Sequence, residues 1–437
     1  MKYYCIGIKG SGMSTLAQIL YDLGNEVSGY DDTIEEKYTE AGLKKRNIPI
    51  YHEAHPLDKD TIVTYSAAFR EDHKEIQRVK ELGLTIRPYN ELLGDLTEMF
   101  ETTCVCGTHG KTTTSLLISH ILTNTLGCNY FVGDGSGYAS GDNRLFVIES
   151  CEYKRHFLSY HPTNVIVTNI ELEHTECYNG IEDIIRTFQT FTNKRSRLAI
   201  LCGDDENIRK MDIDGEKIFY GFANENDYHA KNVVLSQSGS EFDCYIKGEF
   251  FGHFDVPLFG KHMVLNALAA IALCHFYGLS FEEIHQHMET FQGAKRRFKE
   301  SVYGDIVVID DYAHHPTELK VTLEAAHQKY PDKELIAVFL PNTYSRTLAL
   351  LDDFIRVLKM ADTAYVMDIH CDRERAEDYE NISSDAILKG LPNGHKLGME
   401  NIDDLLKHKN AVICFMSCTN IYLLEDAYVQ KISQNNK

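Results

Sequence analysis

The sequence predicts an α/β protein of three domains, each built from strand, turn and helix around a mainly parallel sheet. Three observations carry this. Short apolar runs alternate with helical patterns from Tyr3 to Arg87, a strand and a helix flank the glycine turn Gly107-Thr108-His109-Gly110-Lys111-Thr112, and the alternation returns from Asp305 to Met416. A chain of 437 residues exceeds what one core usually serves, and 43% hydrophobic residues suffice to fill several. The expected domains are 1–99, 100–294 and 295–437.

In the first domain, Tyr3 to Ile8 reads as a strand, followed by a glycine turn and a helix to about Leu23. The glycines fall as G-x-x-G-x-G (Gly7, Gly10, Gly12), not as the dinucleotide G-x-G-x-x-G, so NAD is not inferred. Glu26 to Tyr30 is a second strand ending at Asp31, whose carboxylate could meet a ribose or base edge or could cap the next turn. Ile62 to Ser66 is a third strand, Glu71 to Leu82 a helix and Leu84 to Arg87 a fourth strand.

The middle domain opens on a strand, Thr102 to Cys106, then the Gly-Lys-Thr loop and a helix from Thr113 to Leu122. This is the context of a phosphate-binding loop, in which backbone N–H groups and a helix N-terminus face an anion. Lys111 would reach the terminal phosphates and the Thr112 hydroxyl would ligate Mg²⁺. The loop is shortened, with Val105 where the general pattern has its first glycine. Leu145 to Glu149 is an apolar strand with Glu152 just beyond, and Val165 to Ile170 another, running into Glu171-Leu172-Glu173-His174. Acidic and histidine side chains at two strand ends beside such a loop are candidates for holding Mg²⁺. Val264 to Phe276 is an alanine-rich helix with a packing stripe at Ala267, Ala270, Ile271 and Cys274.

The last domain begins at Gly293-Ala294-Lys295-Arg296-Arg297-Phe298. Asp305 to Ile309 is a strand entering Asp310-Asp311-Tyr312-Ala313-His314-His315-Pro316-Thr317-Glu318 and a helix to about Tyr330. Further strands follow at Leu335 to Leu340, Thr363 to Asp368 and Ala411 to Met416, and the polar tail after Ile432 is expected to fray.

A net charge of −21 argues against nucleic acid or an anionic membrane as partner, since those need clustered Lys and Arg. The longest apolar stretch, Leu265 to Phe276, is too short to span a bilayer, and no export signal opens the chain, so a cytoplasmic location is expected. The twelve cysteines show no zinc spacing and read as buried thiols in a reducing compartment.

Taken in order, Gly7-Ile8-Lys9-Gly10-Ser11-Gly12-Met13-Ser14, the Gly107 to Thr114 loop, Glu149-Ser150-Cys151-Glu152-Tyr153, Thr168-Asn169-Ile170-Glu171-Leu172-Glu173-His174, Gly260-Lys261-His262, Arg296-Arg297-Phe298 and Asp310 to Glu318 together resemble the Mur ligases. The resemblance is strongest to the members, in their Gram-positive form, that attach L-alanine to UDP-N-acetylmuramate. It implies a Rossmann-like UDP-binding domain, a P-loop ATPase domain and a Rossmann-like C-terminal domain that closes on ATP and amino acid. It also implies ATP and Mg²⁺ as cofactors, an acyl phosphate as intermediate, peptidoglycan precursor synthesis as the setting and a monomer or homodimer. Two alternatives stand beside it, a tripeptide-adding relative and a non-catalytic nucleotide-sugar binder. Thr343-Tyr344-Ser345-Arg346-Thr347 is more similar to the alanine-adding members, and the complete set of Lys111, Thr112, Glu149 and His174 speaks against lost turnover.

By the same resemblance, Gly107, Thr108, His109, Gly110, Lys111, Thr112 and Thr113 hold the nucleotide phosphates, and Thr112, Glu149 and His174 hold the metal. Asn266 contacts the adenine, Arg297 and Asp311 the phosphates and ribose, and His314 and Arg346 the cleft of the last domain. Gly10, Ser11, Gly12 and Met13 face the UDP pyrophosphate, with Asp31 and Ser66 also on that substrate. Four departures accompany the match: Glu173 for aspartate, Met263 for asparagine, Asn342 for the histidine of Q-P-H, and Met416-Ser417-Cys418-Thr419-Asn420-Ile421 for a G-A-G-D-I turn.

Overall fold

A computed structural model describes residues 1–66, 68–174, 177–371, 374–379 and 382–435. The chain divides into two compact units, one of 1–231, 243–252 and 265–291, the other of 232–242, 253–264 and 292–437.

The first unit opens with β1 (Lys2–Ile6), α1 (Ser11–Asp22), β2 (Glu26–Tyr30), α2 (Glu40–Lys45), β3 (Ile50–Tyr51), β4 (Thr61–Tyr65), α3 (Lys74–Glu81), β5 (Thr85–Pro88) and α4 (Tyr89–Met99). The strands pair in parallel in the order β3-β2-β1-β4-β5. Chain order reverses at β1, and there Gly7, Asp31 and Ser66 follow the carboxyl ends of β1, β2 and β4, the place where open α/β sheets bind ligands. Tyr4, Ile6, Tyr30, Val63, Ile76 and Val79 form the core behind it. The helix expected from Glu71 starts only at Lys74, because the His73 ring accepts the Glu75 N–H and caps it.

A second sheet in this unit is built from β6 (Glu101–Cys106), α5 (Lys111–Thr123), β7 (Cys128–Phe131), β8 (Gly137–Tyr138), β9 (Leu145–Glu149), β10 (Asn164–Val167), α6 (Ile181–Asn193), β11 (Leu198–Cys202), α7 (Glu206–Arg209) and β12 (Lys217–Gly221). The order β12-β11-β10-β6-β9-β7-β8 places the strand before the phosphate-type loop between the two that carry the acidic ends. The strands β13 (Tyr228–Ser236), β14 (Gly239–Ile246) and β15 (Glu249–Val256) follow β12 in the sheet, their residues divided between the units. Helices α8 (Lys261–Phe276) and α9 (Phe281–Glu289) follow, α9 held by a full capping box between Ser280 and Glu283. Helix α1 joins the two sheets: Thr15 Oγ1 donates to Val132 O (3.1 Å), Gln18 Nε2 to Gly135 O (3.0 Å), and Arg46, bidentate on Asp22, to Gly137 O (2.9 Å).

The second unit contains β16 (Lys299–Tyr303), β17 (Ile306–Asp311), α10 (Pro316–Lys329), β18 (Glu334–Phe339), α11 (Tyr344–Ala349), α12 (Leu351–Leu358), β19 (Thr363–Val366), α13 (Ser384–Leu388), β20 (Gly394–Lys396), β21 (Ala411–Met416) and α14 (Tyr422–Asn435). The order is β16-β17-β21-β18-β19-β20, antiparallel only at β16. Strands buried on both faces read as continuous apolar runs. In β21, Val412, Cys414 and Met416 enter one core layer, Ala411, Ile413 and Phe415 the other. Helix α14 continues past Ile432 to Asn435, so the expected fraying does not begin there.

Eight of the cysteines are buried and all are free. Among the described residues, no helix is long and apolar enough to cross a membrane.

Candidate functional site

The loop between β6 and α5 takes its shape from two glycines and from the segment after β10. Gly107 has φ +142° and Gly110 φ +81°, backbone that side chains rarely adopt. Asn169 braces the turn from below, accepting the His109 N–H at its Oδ1 (2.8 Å) and the Thr108 N–H at its carbonyl (3.0 Å), and donating from Nδ2 to His109 O (3.0 Å). Thr168 Oγ1 donates to His109 O (2.6 Å), and the Thr108 hydroxyl accepts the Glu171 N–H (2.8 Å). Gly110 is the residue before α5, and a Cβ there would lie 2.8 Å from Asn266 Oδ1. Asn266 thus reaches the loop from α8.

Lys111 opens α5 and folds back over the turn. Its Nζ donates to the carbonyls of Gly107 and Thr108 and pairs with Glu152 Oε2 at 3.0 Å. Burial opposes the ammonium charge, but Glu152, together with Cys151 and Glu149, outweighs it, so Lys111 stays charged well above the usual lysine range. Thr112 Oγ1 donates to Glu149 Oε1 (3.0 Å), and the other Glu149 oxygen accepts the Gly133 N–H (2.7 Å). Two hard oxygen atoms one hydrogen bond apart, next to the lysine, suit Mg²⁺. His174 stands at φ +52°, its Nε2 3.7 Å from Glu152 Oε1 and its ring edge-on to Tyr153 at 5.0 Å. Thr113 is buried in the first turn of α5. The predicted set Gly107, Thr108, His109, Gly110, Lys111, Thr112, Thr113, Glu149, His174 and Asn266 therefore belongs to one neighbourhood.

At the first sheet, Gly10, Ser11 and Gly12 form the start of α1, and the Gly12 backbone is covered by the Tyr89 hydroxyl. Met13 departs from expectation. Its side chain is 2% exposed and packs in the core, because the inward face of α1 needs an apolar residue there. Asp31 acts as a turn brace: its carboxylate accepts the Lys9 N–H (2.9 Å) and the Thr33 N–H (3.1 Å). Ser66 faces the Gly7 turn, its N–H donating to Ile6 O (3.0 Å).

The remaining predicted residues lie in the second unit. Asp311 accepts the Phe298 and Ala313 N–H groups (both 2.8 Å), and burial raises its pKa to about 6 against the opposing pull of Arg297. Arg297 lies over the Tyr312 ring (5.0 Å) and 3.7 Å from Glu318. Glu318 accepts the His314 N–H (3.0 Å) and, with the His315 ring, forms the capping box of α10, with Pro316 in the first turn. His314 Nδ1 sits 3.1 Å from Glu318. Arg346, on α11, donates to Asn342 O (3.2 Å).

Sequence reasoning gave two groups of residues no specific role. Glu152, three residues past Glu149, is the direct partner of Lys111, and its place just beyond a strand end was the available signal. Thr168 and Asn169 shape the loop through side-chain hydrogen bonds to its backbone, for which no spacing rule gives notice.

The match to known proteins extends along the chain. The domain described as "Mur ligase family, catalytic domain" matches residues 2–101, the "Mur ligase middle domain" residues 105–274, and the "Mur ligase, glutamate ligase domain" residues 296–415. UDP-N-acetylmuramate–L-alanine ligases from Lactococcus lactis subsp. cremoris (strain MG1363) and subsp. lactis (strain IL1403) are 40% identical over 440 residues and 41% identical over 438, each alignment covering 99% of this chain and 98% of the relative. The crystal structure of a UDP-N-acetylmuramate–alanine ligase from Thermotoga maritima superposes with a TM-score of 0.84 at 24% identity, covering all of both chains. A murein peptide ligase from Psychrobacter arcticus gives 0.74 at 20%, covering 99% of this chain and 98% of its own. A MurF ligase from T. maritima in complex with ADP gives 0.65 at 14%, covering 93% and 95%. At these identities the structures speak for the fold.

Proposed function

The chain belongs to the Mur ligase family, and from that premise we propose that it joins L-alanine to the lactyl carboxylate of UDP-N-acetylmuramate at the expense of ATP, in peptidoglycan precursor synthesis. The observation that carries the choice of amino acid is the 40% identity, over 99% of the chain, to a curated L-alanine ligase. The geometry supports the chemistry. A carboxylate is a poor electrophile, and ATP supplies the phosphoryl group that turns its oxygen into a leaving group. The amine then attacks the acyl carbon, loses a proton and displaces phosphate.

This chain's part is to position and to neutralise charge. Lys111, kept protonated by Glu152, meets the terminal phosphates, and the loop N–H groups and the start of α5 take the rest. Thr112, Glu149 and His174 are the proposed ligands of Mg²⁺, whose charge would offset that of the phosphates. Asn266 is proposed to contact the adenine, Arg297 and Asp311 the phosphates and ribose, and His314 and Arg346 the reacting groups. Ser11, Gly12 and the Met13 N–H face the UDP pyrophosphate from the start of α1. Functionally the chain divides into 1–99 for the UDP substrate, 100–294 for ATP and 295–437 for closure on ATP and amino acid, and it works in the cytoplasm.

The test is phosphate release. It should require UDP-N-acetylmuramate and L-alanine together, and Lys111→Ala should abolish it. Release with the tripeptide but not with L-alanine would reassign the chain to the tripeptide-adding relatives. Tight UDP-N-acetylmuramate binding with no release under any amino acid would make it a binder without turnover.

A further inference from the structure

The segment after β9 adopts a conformation that nothing in its own sequence favours. Lys154 (φ +50°, ψ +24°) and Arg155 (φ +58°, ψ +25°) are consecutive non-glycine residues in the left-handed region. Such backbone persists only where its surroundings over-determine it, and it gathers at functional sites.

Arg155 and Tyr178 supply that constraint. The Arg155 Nη2 pairs with Asp183 Oδ2 (2.8 Å) in the first turn of α6, its Nη1 donates to the Thr187 hydroxyl, and its guanidinium lies over the Tyr178 ring at 4.7 Å. One acceptor collects the result. The Glu152 carbonyl oxygen receives the Arg155 N–H (2.8 Å) and the Tyr178 hydroxyl (2.5 Å). The same residue's carboxylate, 5% exposed, meets Lys111 on one side and His174 on the other. Tyr178 is bonded on to His174 as well, its N–H donating to His174 O (3.1 Å).

We propose that Tyr178 and Arg155 are positioning residues for the phosphoryl-transfer step: they clamp the Glu152 backbone so that its carboxylate holds Lys111 in register with the loop. The inference rests on the reading of Lys111 as the phosphate-binding lysine. A clamp of this kind acts on turnover through Glu152 and leaves amino-acid binding alone. Removing a supporting partner of a site group typically lowers activity about 10- to 100-fold.

The experiment is a double-mutant cycle on the full chain, read as phosphate release with ATP, UDP-N-acetylmuramate and L-alanine. Tyr178→Phe deletes one hydroxyl and keeps the ring beneath Arg155. It should lower kcat about tenfold with the KM for L-alanine unchanged. In the Glu152→Gln background the same substitution should have almost no further effect, because the charge it aims is gone. An equal fractional loss in both backgrounds, or wild-type kcat for Tyr178→Phe, overturns the inference. Should Tyr178→Phe melt below the assay temperature, Arg155→Lys is read in the same cycle with the same criteria. Failure of the wild-type chain itself to release phosphate overturns the ligase reading, and this inference with it. Failure of the cycle alone leaves the ligase reading standing.

Discussion

Replacing Gly107 by alanine tests the loop at its tightest point. Gly107 has φ +142°, and for any other residue such backbone costs roughly 1–3 kcal/mol. An added Cβ would lie 2.0 Å from Thr168 Oγ1 and 3.1 Å from the N and O atoms of Asn169. Ordinary contact begins at 3.4 Å, so the loop and the end of β10 must part by 3.4 − 2.0 = 1.4 Å. They cannot do so freely, since Thr168 Oγ1 donates to His109 O at 2.6 Å and Asn169 holds both Thr108 and His109. Overpacking of this kind adds about 1–3 kcal/mol, giving a loss of stability of about 2–6 kcal/mol. A shift beyond 1 Å at the base of Lys111 should lower turnover by about 100-fold. Urea unfolding followed by circular dichroism, with phosphate release on the folded variant, measures both. In Gly107→Ala/Thr168→Ala the closest clash is relieved while the backbone strain and the contacts with Asn169 stay, so part of the stability returns. A Gly107→Ala variant with the parent's urea midpoint and turnover would refute the reasoning.

Two further outcomes concern the second unit. Arg296 and Asp310 are paired at 3.1 Å with side chains 10% and 9% exposed, and Arg296 also donates to Ser417 O. Arg296→Met leaves a buried carboxylate without its partner and should cost about 3–5 kcal/mol in urea unfolding, most of it recovered in Arg296→Met/Asp310→Leu. Asp311 is raised by burial from 3.8 to about 6, so the folded chain holds that proton more tightly than the unfolded chain. Its contribution to stability is full below about pH 4 and is lost as pH rises through about 6. Measured against Asp311→Asn, the wild type should therefore lose on the order of 2–3 kcal/mol of relative stability between those limits, and a flat difference would remove burial as the cause.

The legible parts of this molecule are those whose physics is local. Strand, loop and helix around Lys111 followed from apolar runs and glycine spacing, and the structure moves their limits by a residue or two, as at α5, which starts at Lys111 in place of Thr113. Strands β2 and β21 fall within their expected limits; β21 is a continuous apolar run, while β2, Glu-Val-Ser-Gly-Tyr, alternates and ends at the Asp31 turn. What escaped depends on residues far apart in sequence. Asn169 shapes a loop sixty residues earlier through its side-chain amide, and Arg155 and Tyr178 meet over the Glu152 carbonyl with no motif to announce them. At Met13 a helix start beside a glycine turn reads as ligand-facing, but the packing of α1 turns the side chain inward and leaves only the backbone to face a ligand. No strands were expected from β11 to β15, although Leu198 to Cys202 is an apolar run of the same kind as those read elsewhere.

The departure at Ser417 to Asn420 carries a further lesson about what a lost glycine means. Glycine is required where φ is positive, and residues 417 to 420 have no positive φ. Hydroxyl side chains build the turn: Ser417 Oγ accepts the Thr419 N–H (3.2 Å) and pairs with Thr419 Oγ1 (3.0 Å), while the Ser417 N–H donates to Asp311 O (3.1 Å). Asn342 is likewise used locally, its Nδ2 donating to His370 O (3.1 Å) and its carbonyl accepting from Arg346. The departures at 342 and at 417 to 420 thus sit in places where the backbone is satisfied by other means. Through those bonds Asn342 touches Arg346, and Ser417 touches Asp311.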